Sequence, residues 1–238
     1  MDIKEKSKKS SEKYMEKHKT ERSGDIFSEQ QIHWDKVYSE KIDMFGIKPS
    51  YPACKAIDLF KKEDKLKVLE LGGGQGRDAL YFAIQGFQVK VLDYSKEGLR
   101  LINNKACNYG IPNSIETLQH DIKNPLPFKD ESFDYCYSHM LYCMALTKVE
   151  LKLLSNEIKR VLKKGGLNIY TARNINDAHY MTGKYYSEDI WETGGFAVHF
   201  FSRATVEELS EGYDIINITE FEEGDLPRKL FLVILKKT

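Results

Sequence analysis

Between a short apolar run and an amphipathic stretch lies Glu70-Leu71-Gly72-Gly73-Gly74-Gln75-Gly76. Glycines in that setting let the backbone turn sharply and approach a ligand beside a helix N-terminus. Two spacings coexist. Gly74-Gln75-Gly76-Arg77-Asp78-Ala79 fits G-x-G-x-x-A, a cradle for a dinucleotide pyrophosphate. Gly72, Gly74 and Gly76 fit G-x-G-x-G preceded by an acid. Three carboxylates bear on the choice. Glu70 precedes the first glycine by two positions, where its charge attracts a cation and repels a pyrophosphate. Asp93 closes the next apolar run, 17 positions after Gly76, and can accept from both hydroxyls of a ribose. Asp121 follows a third run, at the rim of the same crevice, and can accept from an adenine amino group.

These residues need strands and helices to hold them. Lys67 to Leu71, Phe87 to Asp93, Ile115 to Gln119, Phe133 to Ser138 and Leu167 to Thr171 are short β-prone runs. Helical stretches separate them. Arg77 to Gln85 is closed by Gly86, and Ser95 is placed to cap a helix reaching about Asn108. Val149 to Leu162 carries apolar residues at helical spacing and stops at Lys164-Gly165-Gly166. Strands and helices in alternation predict an α/β fold with a doubly wound, mostly parallel sheet. Tyr213 to Phe221 and Lys229 to Leu235 leave no room for a crossover helix and predict a terminal antiparallel hairpin.

The 238 residues balance 36 Lys+Arg against 36 Asp+Glu, so no global field draws in nucleic acid or an anionic membrane. No apolar run approaches the roughly 20 residues of a membrane span. Cys54, Cys107, Cys136 and Cys143 include no C-x-x-C pair, which predicts reduced thiols in a cytoplasmic protein and neither a disulfide frame nor a zinc site. Residues 1 to about 24 are rich in Lys, Glu and Ser and read as a frayed or disordered tail. From Ile26 to about Tyr51, Trp34, Val37, Tyr38 and Phe45 are too apolar for a free tail and predict a helical arm that packs on the core. The oligomeric state is left open.

The acids together suit a ligand with a cationic amino-acid end, a ribose and an adenine, and S-adenosylmethionine has those parts. The ordered segments VLELGGGQGRDAL, VKVLDYS, LQHDIKNPLPFKDESFDYCYS and VLKKGGLNIYTAR resemble the class I S-adenosylmethionine-dependent methyltransferases over roughly residues 66 to 172. The resemblance implies a seven-stranded sheet whose seventh strand is antiparallel. It implies that Glu70, Gly72, Gly73, Gly74 and Gly76 hold the methionine part, and Asp93 the ribose with Tyr94 beside the adenine. Asp121 and Ile122 would clamp the adenine, and Ser138, His139 and Met140 would line the cofactor and the substrate. It divides the chain into a tail and helical lid, 1–50, and a methyltransferase domain, 51–238, with a substrate-side insertion at 174–200.

The acceptor is less legible. No proline directly precedes a cysteine, which argues against the cytosine C5 enzymes. Ser138-His139-Met140-Leu141 replaces the Asn/Asp-Pro-Pro-aromatic motif of enzymes that methylate DNA amino groups. There is no basic stripe for nucleic acid. These absences favour a small molecule, with RNA or protein as the alternative acceptor. Trp34 and Tyr38 either cover a sulfonium by cation–π attraction or anchor the arm. Arg173 suits an anionic acceptor, and His139, His179 and His199 are candidates for a base or an orienting group. Two rival readings remain: an NAD-dependent oxidoreductase using Gly74, Gly76 and Ala79, and a module that binds the cofactor without turnover.

Overall fold

A computed structural model of the chain describes residues 24–60, 66–224 and 228–238, so the tail expected over residues 1 to about 24 lies, up to residue 23, outside the described residues. Two helices come first, α1 (Gly24–Glu40) and α2 (Tyr51–Leu59). The alternating runs then become β1 (Lys67–Leu71), α3 (Arg77–Ile84), β2 (Gln88–Asp93), α4 (Lys96–Asn108), β3 (Ile115–Gln119), β4 (Phe133–Ser138), α5 (Lys148–Val161) and β5 (Leu162–Arg173). After them come β6 (Tyr185–Ser187), β7 (Ile190–Thr193), β8 (Phe196–His199), α6 (Arg203–Leu209), β9 (Tyr213–Glu223) and β10 (Arg228–Lys237).

The main sheet has seven strands in the order β3-β2-β1-β4-β5-β10-β9. The first five run parallel, and β10 pairs antiparallel with both β5 and β9. Helices cover both faces, which is why the central strands read as nearly unbroken apolar runs. Side chains alternate between two cores. Leu69, Leu71 and Cys136 join Leu154, Ile158 and Val161 on one face. Val68, Val91, Tyr135 and Tyr137 join Phe82 and Ile102 on the other. Each such side chain contributes about 1.5–3 kcal/mol when fully buried.

The helix starts follow local chemistry. Ser95 Oγ accepts from the Gly98 amide at 3.0 Å. Thr147 and Glu150 form a reciprocal capping box at the head of α5. The chain leaves β1 toward β2 on one side and returns through β4 on the other, so a crevice opens beyond the carboxyl ends of β1 and β4.

Three features depart from the expectation. β5 starts at Leu162, directly after α5, because Leu162 is already extended and pairs with Phe133. The Gly165-Gly166 stretch is taken up by a register shift between Phe133 and Tyr135. The 174–200 insertion contains a separate three-stranded antiparallel sheet, β6-β7-β8, pinned by buried Ile190, Trp191, Ala197 and Val198. Helices α2 and α6 were not foreseen. They have 9 and 7 residues, too short for a clear period, and are capped by Ser50 and Ser202.

Candidate cofactor and acceptor site

The turn from β1 to α3 sets the site. Gly72 and Gly74 have φ of +68° and +54°, backbone that side chains other than glycine adopt at a cost. A Cβ would also lie 2.9 Å from Leu141 Cδ1 at Gly72 and 2.9 Å from the Tyr38 hydroxyl at Gly74. Glycine there lets Leu141 and Tyr38, both lining the cavity, pack directly on the loop.

Asp93 locks this loop to the next helix. Its Oδ2 accepts from the Gly74 amide and its Oδ1 from the Ser95 amide, both at 2.8 Å. Burial raises its pKa; those amides pull it down, and the balance leaves it at about 6. Glu70 is buried as well, and its Oε2 has no hydrogen-bond partner. Burial, then the charge of Asp78, pushes its pKa well above the usual range, against the pull of Arg77. Glu70 lines the cavity, and an unpartnered buried carboxylate oxygen suits a cationic or hydrogen-donating group.

The cavity has a volume of about 620 Å³ and is walled by Glu70, Gly72, Gly73, Gly74, Asp93 and Tyr94 on one side. A second pocket of about 260 Å³ adjoins it, sharing Tyr94, Leu141 and Met144. Asp121 and Ile122 line this second pocket with Gln30 and Gln31 of α1. The acids therefore occupy two adjoining compartments rather than one. Asp121 is exposed, and its Oδ1 accepts from the Lys123 amide at 3.0 Å.

Helix α1 lies over the crevice. Trp34 packs on Tyr38, Phe45 and, from β8, Phe196, with ring centroids 5.2, 6.2 and 4.9 Å apart. Arm and insertion thus meet in one aromatic roof. Polar bonds tie the roof to the loop below: Gln31 Nε2 donates to the Tyr94 carbonyl at 3.0 Å, and Ser95 Oγ to Asp35 at 2.6 Å. Gln75 carries the tie across the glycine loop. Its amide donates to the Lys41 carbonyl at 2.7 Å and accepts from the Met44 amide at 2.8 Å. Trp34 and Tyr38 line the cavity and also anchor the arm.

At the far end stand His139, Arg173, Glu223 and Arg228. Glu223 can only accept, so His139 carries a proton on Nε2 and donates to Glu223 Oε2 at 3.1 Å. His139 Nδ1 faces the Thr171 hydroxyl at 2.9 Å, and that hydroxyl accepts from the Met140 amide at 2.8 Å. With both ring nitrogens engaged, His139 orients Glu223 and is not a free base. Burial raises the Glu223 pKa, but the His139 hydrogen bond and the charges of His139, Arg77 and Arg228 hold it below the usual range.

Several expected residues sit elsewhere. His199 is fully buried, donates from Nδ1 to the Leu146 carbonyl at 2.8 Å and lies off the cavity wall. Burial lowers its pKa, which keeps it neutral. His179 also lies off the wall, because it is drawn to Asp177 and Arg173 at 3.2 and 2.8 Å. Ser138 is buried without a partner for its hydroxyl, and Gly76 serves as the N-cap of α3. Neither reaches the cavity wall.

Sequence reasoning also missed residues. Asp78 was read only as an intervening position of the dinucleotide spacing. It is buried under the cavity and accepts from the Ser50 amide, the Ser50 hydroxyl and the Tyr137 hydroxyl at 2.8, 2.7 and 2.9 Å. Glu223 and Arg228 gave no local signal, since both flank a hairpin turn.

Comparisons with known proteins agree with this geometry. Residues 68–166 match the family model described as a methyltransferase domain. A probable S-adenosyl-L-methionine-dependent methyltransferase, TehB of Haemophilus influenzae, is 28% identical over 142 residues, 59% of this chain and 48% of that protein. Its crystal structure superposes with a TM-score of 0.64 at 19% identity, covering 86% of this chain and 67% of that one. A malonyl-[acyl-carrier protein] O-methyltransferase of Erwinia pyrifoliae is 32% identical over 109 residues, 44% of this chain and 37% of that protein. A SAM-dependent methyltransferase from Methanosarcina mazei superposes with a TM-score of 0.64 at 20% identity, covering 79% of this chain and 98% of that one. The matches span less than half the length of these curated relatives. Residues 68–166 thus carry a methyltransferase domain, and the fold around it is that of S-adenosylmethionine-dependent methyltransferases.

Proposed function

We propose that this chain transfers a methyl group from S-adenosylmethionine to a small-molecule acceptor by in-line displacement. The observation that carries the reading is the pairing of the glycine loop with the buried Glu70 and Asp93 carboxylates on one cavity. Those residues fit a cationic amino-acid end and a ribose, and they disfavour a pyrophosphate. When bound, S-adenosylmethionine supplies an electrophilic methyl, whose bond to sulfur breaks as the acceptor's lone pair forms the new one.

The chain's own residues orient and enclose. Glu70 offers its unpartnered Oε2 to a cation, Asp93 offers its carboxylate to hydroxyl donors, and Asp121 with Ile122 borders the adjoining pocket. Trp34, Tyr38 and Phe196 exclude water and present ring faces, worth about 0.5–2 kcal/mol toward a cation. Alignment of this kind can supply roughly 7–11 kcal/mol of a barrier. Glu223 is the carboxylate that faces the acceptor end and can accept a proton or hold an N–H or O–H donor. The aromatic roof that crosses the cavity favours a small acceptor over RNA or protein. The four free cysteines support a cytoplasmic setting, and no helix among the described residues is long and apolar enough to cross a membrane.

Calorimetry with S-adenosylmethionine, S-adenosylhomocysteine and NADH tests the reading. Binding of the first two with none for NADH is expected. Tight NADH binding with neither of the others overturns it.

A further inference from the structure

Among the described residues, the acceptor end holds a cation with no ion-pair partner. Three arginines line the cavity: Arg77, Arg173 and Arg228. Arg173 is satisfied: its Nε and terminal nitrogen donate to both oxygens of buried Asp177, at 3.0 and 2.6 Å. Arg77 donates to Asp78 and to the Phe45 carbonyl, each at 3.2 Å. The Arg228 guanidinium makes no hydrogen bond or ion pair among the described residues, although the Arg228 backbone pairs with Glu223 in the sheet. Glu223, the acid whose titration it influences, is already engaged by His139 at 3.1 Å and by Arg77 at 3.9 Å.

The Arg228 guanidinium is nevertheless seated. It lies against Gly224, whose φ is +87° and whose Cβ, if present, would come within 2.9 Å of the Arg228 terminal nitrogen. The backbone is therefore cleared for it. Phe196, Val198, Met140 and Met144 supply apolar lining to the same cavity. A planar guanidinium with open donors pairs best with a planar oxyanion, through short, charge-assisted and often paired hydrogen bonds.

Building on the methyl-transfer reading, we infer that the acceptor is an organic anion, with an apolar body on the Phe196 and methionine side and a carboxylate-like group on Arg228. Arg228 is then a specificity-determining residue of the acceptor site. Glu223, held ionised beside it, keeps the net charge there low, so the site admits one anionic group rather than a polyanion.

The experiment is titration of the full chain, alone and loaded with S-adenosylhomocysteine, with benzoate and hexanoate against benzamide and hexanamide. Sulfate and the Arg228→Gln variant complete the set. At least one carboxylate should bind tenfold or more tightly than its amide. Arg228→Gln should remove that preference while keeping S-adenosylhomocysteine affinity within twofold of the parent. Arg228→Lys should restore part of the preference, since it keeps the charge but not the fork. The inference is overturned if no carboxylate exceeds its amide, or if sulfate binds as tightly as the carboxylates. It is overturned also if Arg228→Gln lowers S-adenosylhomocysteine affinity tenfold, which would assign Arg228 to the cofactor's own carboxylate. Failure of the parent to bind S-adenosylhomocysteine would strike the methyl-transfer reading instead, and the titration of the unloaded chain would still report on Arg228.

Discussion

The two ends of the cavity are built by different means. The end proposed for the cofactor is made of the carboxyl ends of β1 and β2 and the glycine turn after β1, so Glu70, the loop and Asp93 are each placed by one strand and its end. The end proposed for the acceptor gathers Trp34 from α1, His139 after β4, Phe196 from β8, Glu223 from β9 and Arg228 from β10. Strand ends of a parallel sheet all point to one edge, so local motifs there meet without further instruction. Side chains drawn from five separate elements meet only because the sheet order and the packed roof bring them together. A ligand common to many proteins suits the first arrangement; a variable acceptor suits the second, where loops can change without disturbing the sheet.

The contrast can be broken at either end. The largest effect is expected at the glycine loop. Gly74→Val combines a positive φ, costing about 1–3 kcal/mol, with a collision at the Tyr38 hydroxyl. Calorimetry should show S-adenosylhomocysteine binding lost, and an intact fold by circular dichroism would locate the loss in the site. Asp93→Ala comes next. It removes a hydrogen-bonded carboxylate and should weaken S-adenosylhomocysteine by about 1–3 kcal/mol, roughly 5- to 150-fold. Unchanged affinity would remove Asp93 from the cofactor end.

A smaller effect separates the roof from the floor. Trp34→Ala should lower affinity for S-adenosylmethionine, which carries the sulfonium, by about 0.5–2 kcal/mol. It should change S-adenosylhomocysteine, which lacks that charge, by less. Equal losses for both would reduce Trp34 to an anchor.

pH sharpens the same end. The Asp93 pKa is raised to about 6 in the folded chain, above its unfolded value of 3.8. The stability it contributes is therefore fully present below about 3.8 and is lost as pH rises through about 6. Ligand affinity should run the other way, because hydroxyl donors need the carboxylate ionised. S-adenosylhomocysteine titrated from pH 7.5 to pH 5, values chosen to bracket about 6, should bind progressively more weakly, and Asp93→Asn should flatten the profile. The smallest effect belongs to a residue the structure moves off the wall: His179→Gln should leave turnover within about twofold, as surface changes usually do.

Legibility followed the same division. The parallel strands, the capping role of Ser95 and the terminal hairpin were readable because each rests on periodicity or on a residue type with one preferred position. His179 and His199 were chosen for their chemistry, yet tertiary packing spends both on neighbours, Asp177 and the Leu146 carbonyl. Nothing local marks Asp78 as the floor of the cavity. Its partners, Ser50 and Tyr137, are 28 and 59 positions away.

Two physical classes of information thus part company in this chain. Backbone conformations that only glycine tolerates, and carboxylates at strand ends, are consequences of a few adjacent residues, so the order of the amino acids alone pointed to a cationic adenosine ligand. Which cation stays unpaired, which histidine is already engaged and which aromatic rings close over the crevice depend on distances between segments far apart in the chain. Among the described residues Glu223 is held by His139 and Arg77 while the Arg228 guanidinium has no ion pair, and that relation exists nowhere but in the folded protein.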